Sequence, residues 1–158
     1  MVRRFYKPVL LALAAASLWV AGLVSSEEPL MHRGANPHLA NGATALTLRN
    51  FDEGIRHTQR GLDRPAKRRD RAAALSNLCA GFDGQQDYEQ ALAHCNAALE
   101  IDDDNWQAYN NRALAHLGMG QLDQAQLDID RGVELNPKAK ELRRVQALVD
   151  LASKPKSN

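Results

Sequence analysis

Aromatic residues make up only 5% of this 158-residue chain. A core built around large rings is therefore excluded, and packing must rest on alanine, leucine and other small side chains. Charge of one sign is also lacking, since 20 Lys and Arg stand against 19 Asp and Glu. That argues against an electrostatic nucleic-acid binder, and no aromatic interleaves the one basic run, Lys67-Arg68-Arg69-Asp70-Arg71. Six prolines and ten glycines are too few for a disordered or fibrous chain. Two cysteines, with no Cys-x-x-Cys, cannot complete a zinc site. Asp102-Asp103-Asp104 lacks the ligand alternation and following glycine of a calcium loop, and reads as caps and solvated charge. No nucleophile is paired with a base, so the chain reads as a non-enzyme with no metal and no cofactor. Its length suits one domain.

What is present falls into two parts. Residues 1–26 carry Arg3, Arg4 and Lys7, then an uncharged run from Pro8 to Ser26, ended by Glu27 and Glu28. This is the plan of a secretory signal peptide, with Val24-Ser25-Ser26 as a cleavage site that matches Ala-x-Ala imperfectly. A retained membrane anchor through residues 8–26, in the inner membrane and facing the periplasm, stays open. Either way the rest of the chain is expected to be exported, to the periplasm or its membrane face. Without the three basic residues of this segment, 17 basic residues remain against the 19 acidic ones, a formal charge of −2. Residues 27–37 read as a flexible leader.

The second part repeats itself. A shift of 34 residues takes Asp87-Tyr88-Glu89-Gln90-Ala91 onto Gln121-Leu122-Asp123-Gln124-Ala125, Leu75 onto Tyr109, Cys79 onto Ala113 and Ala98 onto Gly132. A period of this size marks stacked helical units, each too small to bury its own apolar face. The apolar spacing predicts a helix over 71–82 and a turn at Asp83-Gly84-Gln85-Gln86. A second helix follows from Tyr88 to Glu100, capped by Asp87 with Gln90. Next come a helix from Trp106 to Leu117, capped by Asp104, and another from Leu122 to Leu135. Asn136-Pro137 then stops the pattern. The units are bounded as 38–71 (degenerate, with a charged connector), 72–105 and 106–137. A capping helix over 138–151 and a disordered tail over 152–158 follow. The first unit is three residues out of period, since Gly54 to Ala91 is 37. The basic run reads as the wet start of an extended first helix.

These residues resemble the tetratricopeptide repeat family. Leu75 and Tyr109 match its early large site, Cys79 and Ala113 its small site, and Tyr88 and Leu122 its aromatic or leucine site. Ala91 and Ala125 match its alanine, Ala98 and Gly132 its late small site, and Pro137 its closing proline. Asp103 stands where the second unit should have that proline, and Gly54 stands for the alanine of the first. The resemblance implies an all-α, right-handed superhelical stack of about three antiparallel helix pairs with a C-terminal capping helix. It also implies protein or peptide binding in a groove lined by the first helices. Carried over residue by residue, the groove sites are Ser76, Asn77, Gln107, Asn110, Asn111 and Leu114, with Ala73 and Ala80, and Asn36, Leu39, Ala40 and Ala43 in the first unit. The positions that grip a peptide carboxylate in some members are Leu39, Ala43, Asn77, Gln107 and Asn111. None is basic, so that clamp is not expected. Asn77 and Asn111 are the most specific groove candidates, because an amide both donates and accepts along an extended peptide.

Cys79 and Cys95 fall at inward sites on the two helices of one unit. Export favours a disulfide, while small core residues at this place equally suit two separate thiols. His57 and His94 hold equivalent positions and are expected near each other on the outer surface. His116 reads as packing. The leading expectation is a non-enzymatic protein- or peptide-binding scaffold of the bacterial cell envelope, with no nucleic-acid partner. The alternative is a structural or oligomerising subunit, a homodimer included, that uses its outer face.

Overall fold

The computed structural model describes residues 36–154. The signal or anchor expected over 1–26, the leader up to residue 35 and the last four residues of the tail lie outside them. The described residues form α1 (Pro37–Thr47), α2 (Phe51–Leu62), α3 (Arg68–Gly84), α4 (Tyr88–Ile101), α5 (Trp106–Gly118), α6 (Leu122–Leu135) and α7 (Lys140–Ala152). Helices pair as α1/α2, α3/α4 and α5/α6, and α7 closes the end against α5 and α6. The odd-numbered helices touch one another in sequence, α1 to α3 to α5 to α7, and form one wall. The even-numbered helices lie behind it. This is the all-α repeat stack that the period implies.

Small residues set the close approach within each pair. Ala91, Ala98, Ala113 and Ala125 are fully buried, and Gly42 faces α2, where an added Cβ would meet the Thr58 nitrogen at 3.0 Å and the Gly54 oxygen at 3.1 Å. Between pairs, a ring at the start of one second helix sits on a glycine ending the next first helix. Phe51 covers Gly84 and Tyr88 covers Gly118. Three equivalent turns each carry one left-handed residue, at Arg49 (φ 61), Gln86 (φ 64) and Gly120 (φ 73). Only the last is a glycine, so the first two turns carry a backbone cost of about 1 kcal/mol each.

Cys79 and Cys95 are joined, with an S–S distance of 2.15 Å and Cα atoms 5.2 Å apart. The same spacing of 16 residues separates Gly42 from Thr58 and Ala113 from Ile129. The bond therefore occupies the same place in its pair as the Gly42–Thr58 contact does in the first. The Cys95 sulfur also lies 3.2 Å from the Ala108 carbonyl oxygen. A bridged sulfur has no proton to donate, so this is a packing contact.

Several boundaries and contacts differ from the sequence reading. α3 starts at Arg68, ahead of the expected unit boundary, and runs through Gly84, so Asp83 is helical rather than part of a turn. Asp87 accepts from the Gln90 amide at 3.2 Å, but the cap of α5 is Asn105, which accepts from Ala108 at 3.1 Å, not Asp104. Pro137 is exposed in the turn before α7 and packs in no core. Leu75, Tyr88, Tyr109 and Leu122 are half-buried, each sealing a unit edge. His57 and His94 do not meet: His57 stacks on His38 at 5.9 Å and His94 on Phe82 at 5.2 Å. Inter-helix stacking draws each ring away from the surface, and burial lowers the His94 pKa.

The third unit holds a polar core pair that its sequence did not suggest. Arg112 Nε donates to Asp128 Oδ2 at 2.9 Å and its Nη2 to Oδ1 at 2.6 Å. Arg112 also donates to Asn96 Oδ1 at 2.8 Å and lies over the Tyr109 ring. The Asp128 side chain is only 6% exposed. His116, expected as plain packing, places Nε2 3.8 Å from the same carboxylate.

Candidate binding groove

Two stripes in register line the inner wall. On α3 they are Ala73, Asn77, Ala80 and Gly84, spaced as one face of a helix, and on α5 Gln107, Asn111, Leu114 and Gly118. At the N-terminal ends of α3 and α5 the stripes open into a cavity of about 470 Å³. Ala73, Asn77, Gln107 and Trp106 line it, with Asp70, Asp102, Asp104 and Arg69 around them. The basic run does not form a continuous patch here, because Arg69 shares this rim with three carboxylates.

Asn77 is half-buried and its amide has no hydrogen-bond partner among the described residues. Gln107 is exposed, and Leu114 is half-buried. Asn111 is committed: its Nδ2 donates to the Ser76 carbonyl at 3.0 Å and lies 3.1 Å from Ser76 Oγ. It staples α5 to α3, and since its oxygen also accepts from Asn110 it keeps only one acceptor position to offer. Two groove candidates are corrected by their burial. Ser76 is 2% and Asn110 8% exposed, and Ser76 is covered by α5 through its contact with Asn111. Asn110 Nδ2 donates to Asn111 Oδ1 at 3.3 Å, and its own oxygen is buried without a partner. Leu39 is corrected in the same way, since it covers Gly61 on α2 rather than facing the groove.

The sequence reading stopped one turn short. Next to the glycines that end the two stripes stand Asp83 on α3 and Leu117 on α5. These line a second cavity of about 340 Å³ together with Leu114, Tyr88, Phe51 and Arg49. Burial raises the Asp83 carboxyl from 3.8 to about 6. The raised value means that folding favours the protonated acid. Its contribution is complete below about pH 4 and is lost as pH rises through about 6. Asp83→Asn is therefore expected to raise the unfolding free energy at about pH 7.5 by about 1 kcal/mol, discounted because the side chain is partly open to water. Urea titrations at neutral and acid pH check this. The gain should vanish near pH 4, and a loss at neutral pH would contradict the assignment.

Residues 84–149 match the family model described as tetratricopeptide repeat. Over 59 residues, 37% of its length, the chain is 41% identical to the Hsp70-Hsp90 organizing protein 2 of Arabidopsis thaliana, and this match covers 10% of that protein. The chain thus spans about a tenth of this relative. Among solved structures, the first tetratricopeptide domain of Spaghetti (RPAP3) bound to the HSP90 peptide SRMEEVD superposes with a TM-score of 0.64 at 20% identity. The match covers 75% of this chain and 94% of that one. The TPR2B domain of yeast Sti1, in complex with pHsp70, gives 0.63 at 21% identity, covering 74% and 94%. At these identities the superpositions establish the tetratricopeptide fold and its helix pairing. Among the described residues no group of three or more His, Cys, Asp or Glu is placed to hold a metal ion. No described helix is long and apolar enough to cross a membrane.

Proposed function

We propose that this chain is a non-enzymatic scaffold whose α3–α5 wall binds an extended peptide segment of another protein. The observation that carries the reading is the pair of in-register stripes, which join two cavities through Asn77, Ala80 and Leu114. Asn77 supplies a donor and an acceptor for a peptide backbone, Gln107 a second amide, and Leu114 an apolar seat. The peptide SRMEEVD bound by the Spaghetti domain is acidic. Here the clamp positions hold Leu39, Ala43, Asn77, Gln107 and Asn111, without a cation, so a different peptide chemistry is favoured. We further propose that the scaffold acts after export, in a bacterial cell envelope, either released or held by residues 8–26. The charged start and apolar run of the first 26 residues support this, as does a Cys79–Cys95 bridge that suits an oxidising compartment.

A selection of displayed random peptides on the full chain tests the groove. Leu114→Arg should remove the selected binders, because it places a charged side chain in the apolar seat. Leu127 is 62% exposed, and Leu127→Arg should leave binding unchanged. The reverse pattern would favour the second reading, an envelope subunit or homodimer that associates through its outer face. That reading is supported by the exposed Leu127, Leu148 and Leu151 of α6 and α7.

A further inference from the structure

Asp83 is the one carboxylate at the C-terminal end of the groove stripe, and it has neither an ion pair nor a hydrogen bond among the described residues. Its surroundings are apolar on the α5 side, where Leu114 and Leu117 form the wall. The ring of Tyr88 and the ring of Phe51 line the other side. A half-buried acid with apolar walls suits a guest with an aliphatic stem and a cationic head, the shape of lysine or arginine. We propose that this cavity receives a lysine or arginine side chain of the bound peptide, with the stem on Leu114 and Leu117 and the head at Asp83. The inference rests on the groove reading above and adds the partner's chemistry, a basic peptide segment.

Charge complementarity along the rest of the groove points the same way. The cavity at the other end is rimmed by Asp70, Asp102 and Asp104 together with Arg69, and Asp104 is already paired with Arg131 at 3.7 Å, so two carboxylates face one arginine there. Trp106, half-buried, lines the same cavity. The charged and titratable groups facing the Asp83 cavity are Arg49, from the α1–α2 turn, and Tyr88, from α4. Arg49 is exposed and its guanidinium lies over the Phe51 ring, 5.3 Å from the centroid, without an ion pair to Asp83. It therefore leaves the acid open to a guest. Burial holds the Asp83 carboxyl at about 6, so a cation is gripped above that pH and released below it.

Three synthetic peptides of one length, alternating leucine with lysine, glutamine or glutamate, serve as probes in titrations of the full chain. The lysine peptide is expected to bind about tenfold tighter than the glutamine peptide at neutral pH. Asp83→Asn should weaken the lysine peptide about tenfold and so bring the two to equal affinity. In the unaltered chain the lysine advantage should collapse as pH falls from about 7 to about 5. Preference for the glutamate peptide, with Arg49 as its partner, would overturn the proposal. So would lysine binding that Asp83→Asn does not weaken. Equal binding of all three removes the charge preference and leaves the groove standing, whereas binding of none removes the groove reading as well.

Discussion

Arg112→Leu is expected to lower the unfolding free energy by about 3 kcal/mol. The Asp128 carboxylate is 6% exposed, and both of its oxygens accept from this one guanidinium. Removing the arginine leaves a charge in the core with only a distant His116 beside it, 3.8 Å away. Removing both charges is a different matter. The equivalent place in the second unit is filled by Leu78, buried at 2%, and His94 stacked on Phe82, so the backbone of this repeat accepts an apolar filling. Arg112→Leu with Asp128→Leu should therefore recover most of the loss, since replacing both partners of a buried pair is often close to neutral. Urea denaturation of the two single variants and the double variant measures the coupling. Equal losses for single and double variants would mean that the pair contributes through packing rather than charge.

Cys79→Ala with Cys95→Ala should cost a similar amount, about 3 kcal/mol, because the bridge closes a loop of 16 residues in the unfolded chain. The bridge joins a groove helix to its outer partner. Both cysteines are fully buried with Ala91 and Ala115, so the alanines leave space as well. The third unit fills the equivalent positions with Ala113 and Ile129, buried at 0% and 1%. Cys79→Ala with Cys95→Ile is therefore expected to regain part of the loss. Reductant supplies the control. It should lower the denaturation midpoint of the natural chain and leave that of the alanine variant unmoved. A midpoint for the natural chain that reductant does not shift would show that no bond is formed.

The repeat was legible because its signal is arithmetic. Ala91 and Ala125 sit one period apart, and each is a contact that only a small residue permits, so spacing and size agree. Helix ends were less legible. Nothing local distinguishes Asp83-Gly84 at the end of a helix from the same residues in a turn; in the fold they end the helix, with Gly84 under the Phe51 ring. Hence the groove was read to Leu114 and not to Asp83 and Leu117. Burial at the helix contact was the other blind point. Ser76, Asn110 and Leu39 lie at groove positions of the repeat pattern, but depth depends on how closely α3 approaches α5 and α1 approaches α2. The Arg112–Asp128 pair was missed because arginine stands where its repeat partner has leucine. The two residues are 16 apart, the same spacing as Cys79 and Cys95, and that shared offset was the available signal.

On the proposed function, a peptide lies along the inner wall formed by α3 and α5. Amide chemical-shift mapping of the full chain with a selected peptide tests it most directly. The largest shifts are expected at Ala73, Asn77, Ala80, Asp83, Gln107 and Leu114, with little change at Leu127 or Leu148. Shifts confined to the outer faces of α4 and α6, with the α3 and α5 stripes unmoved, would contradict it.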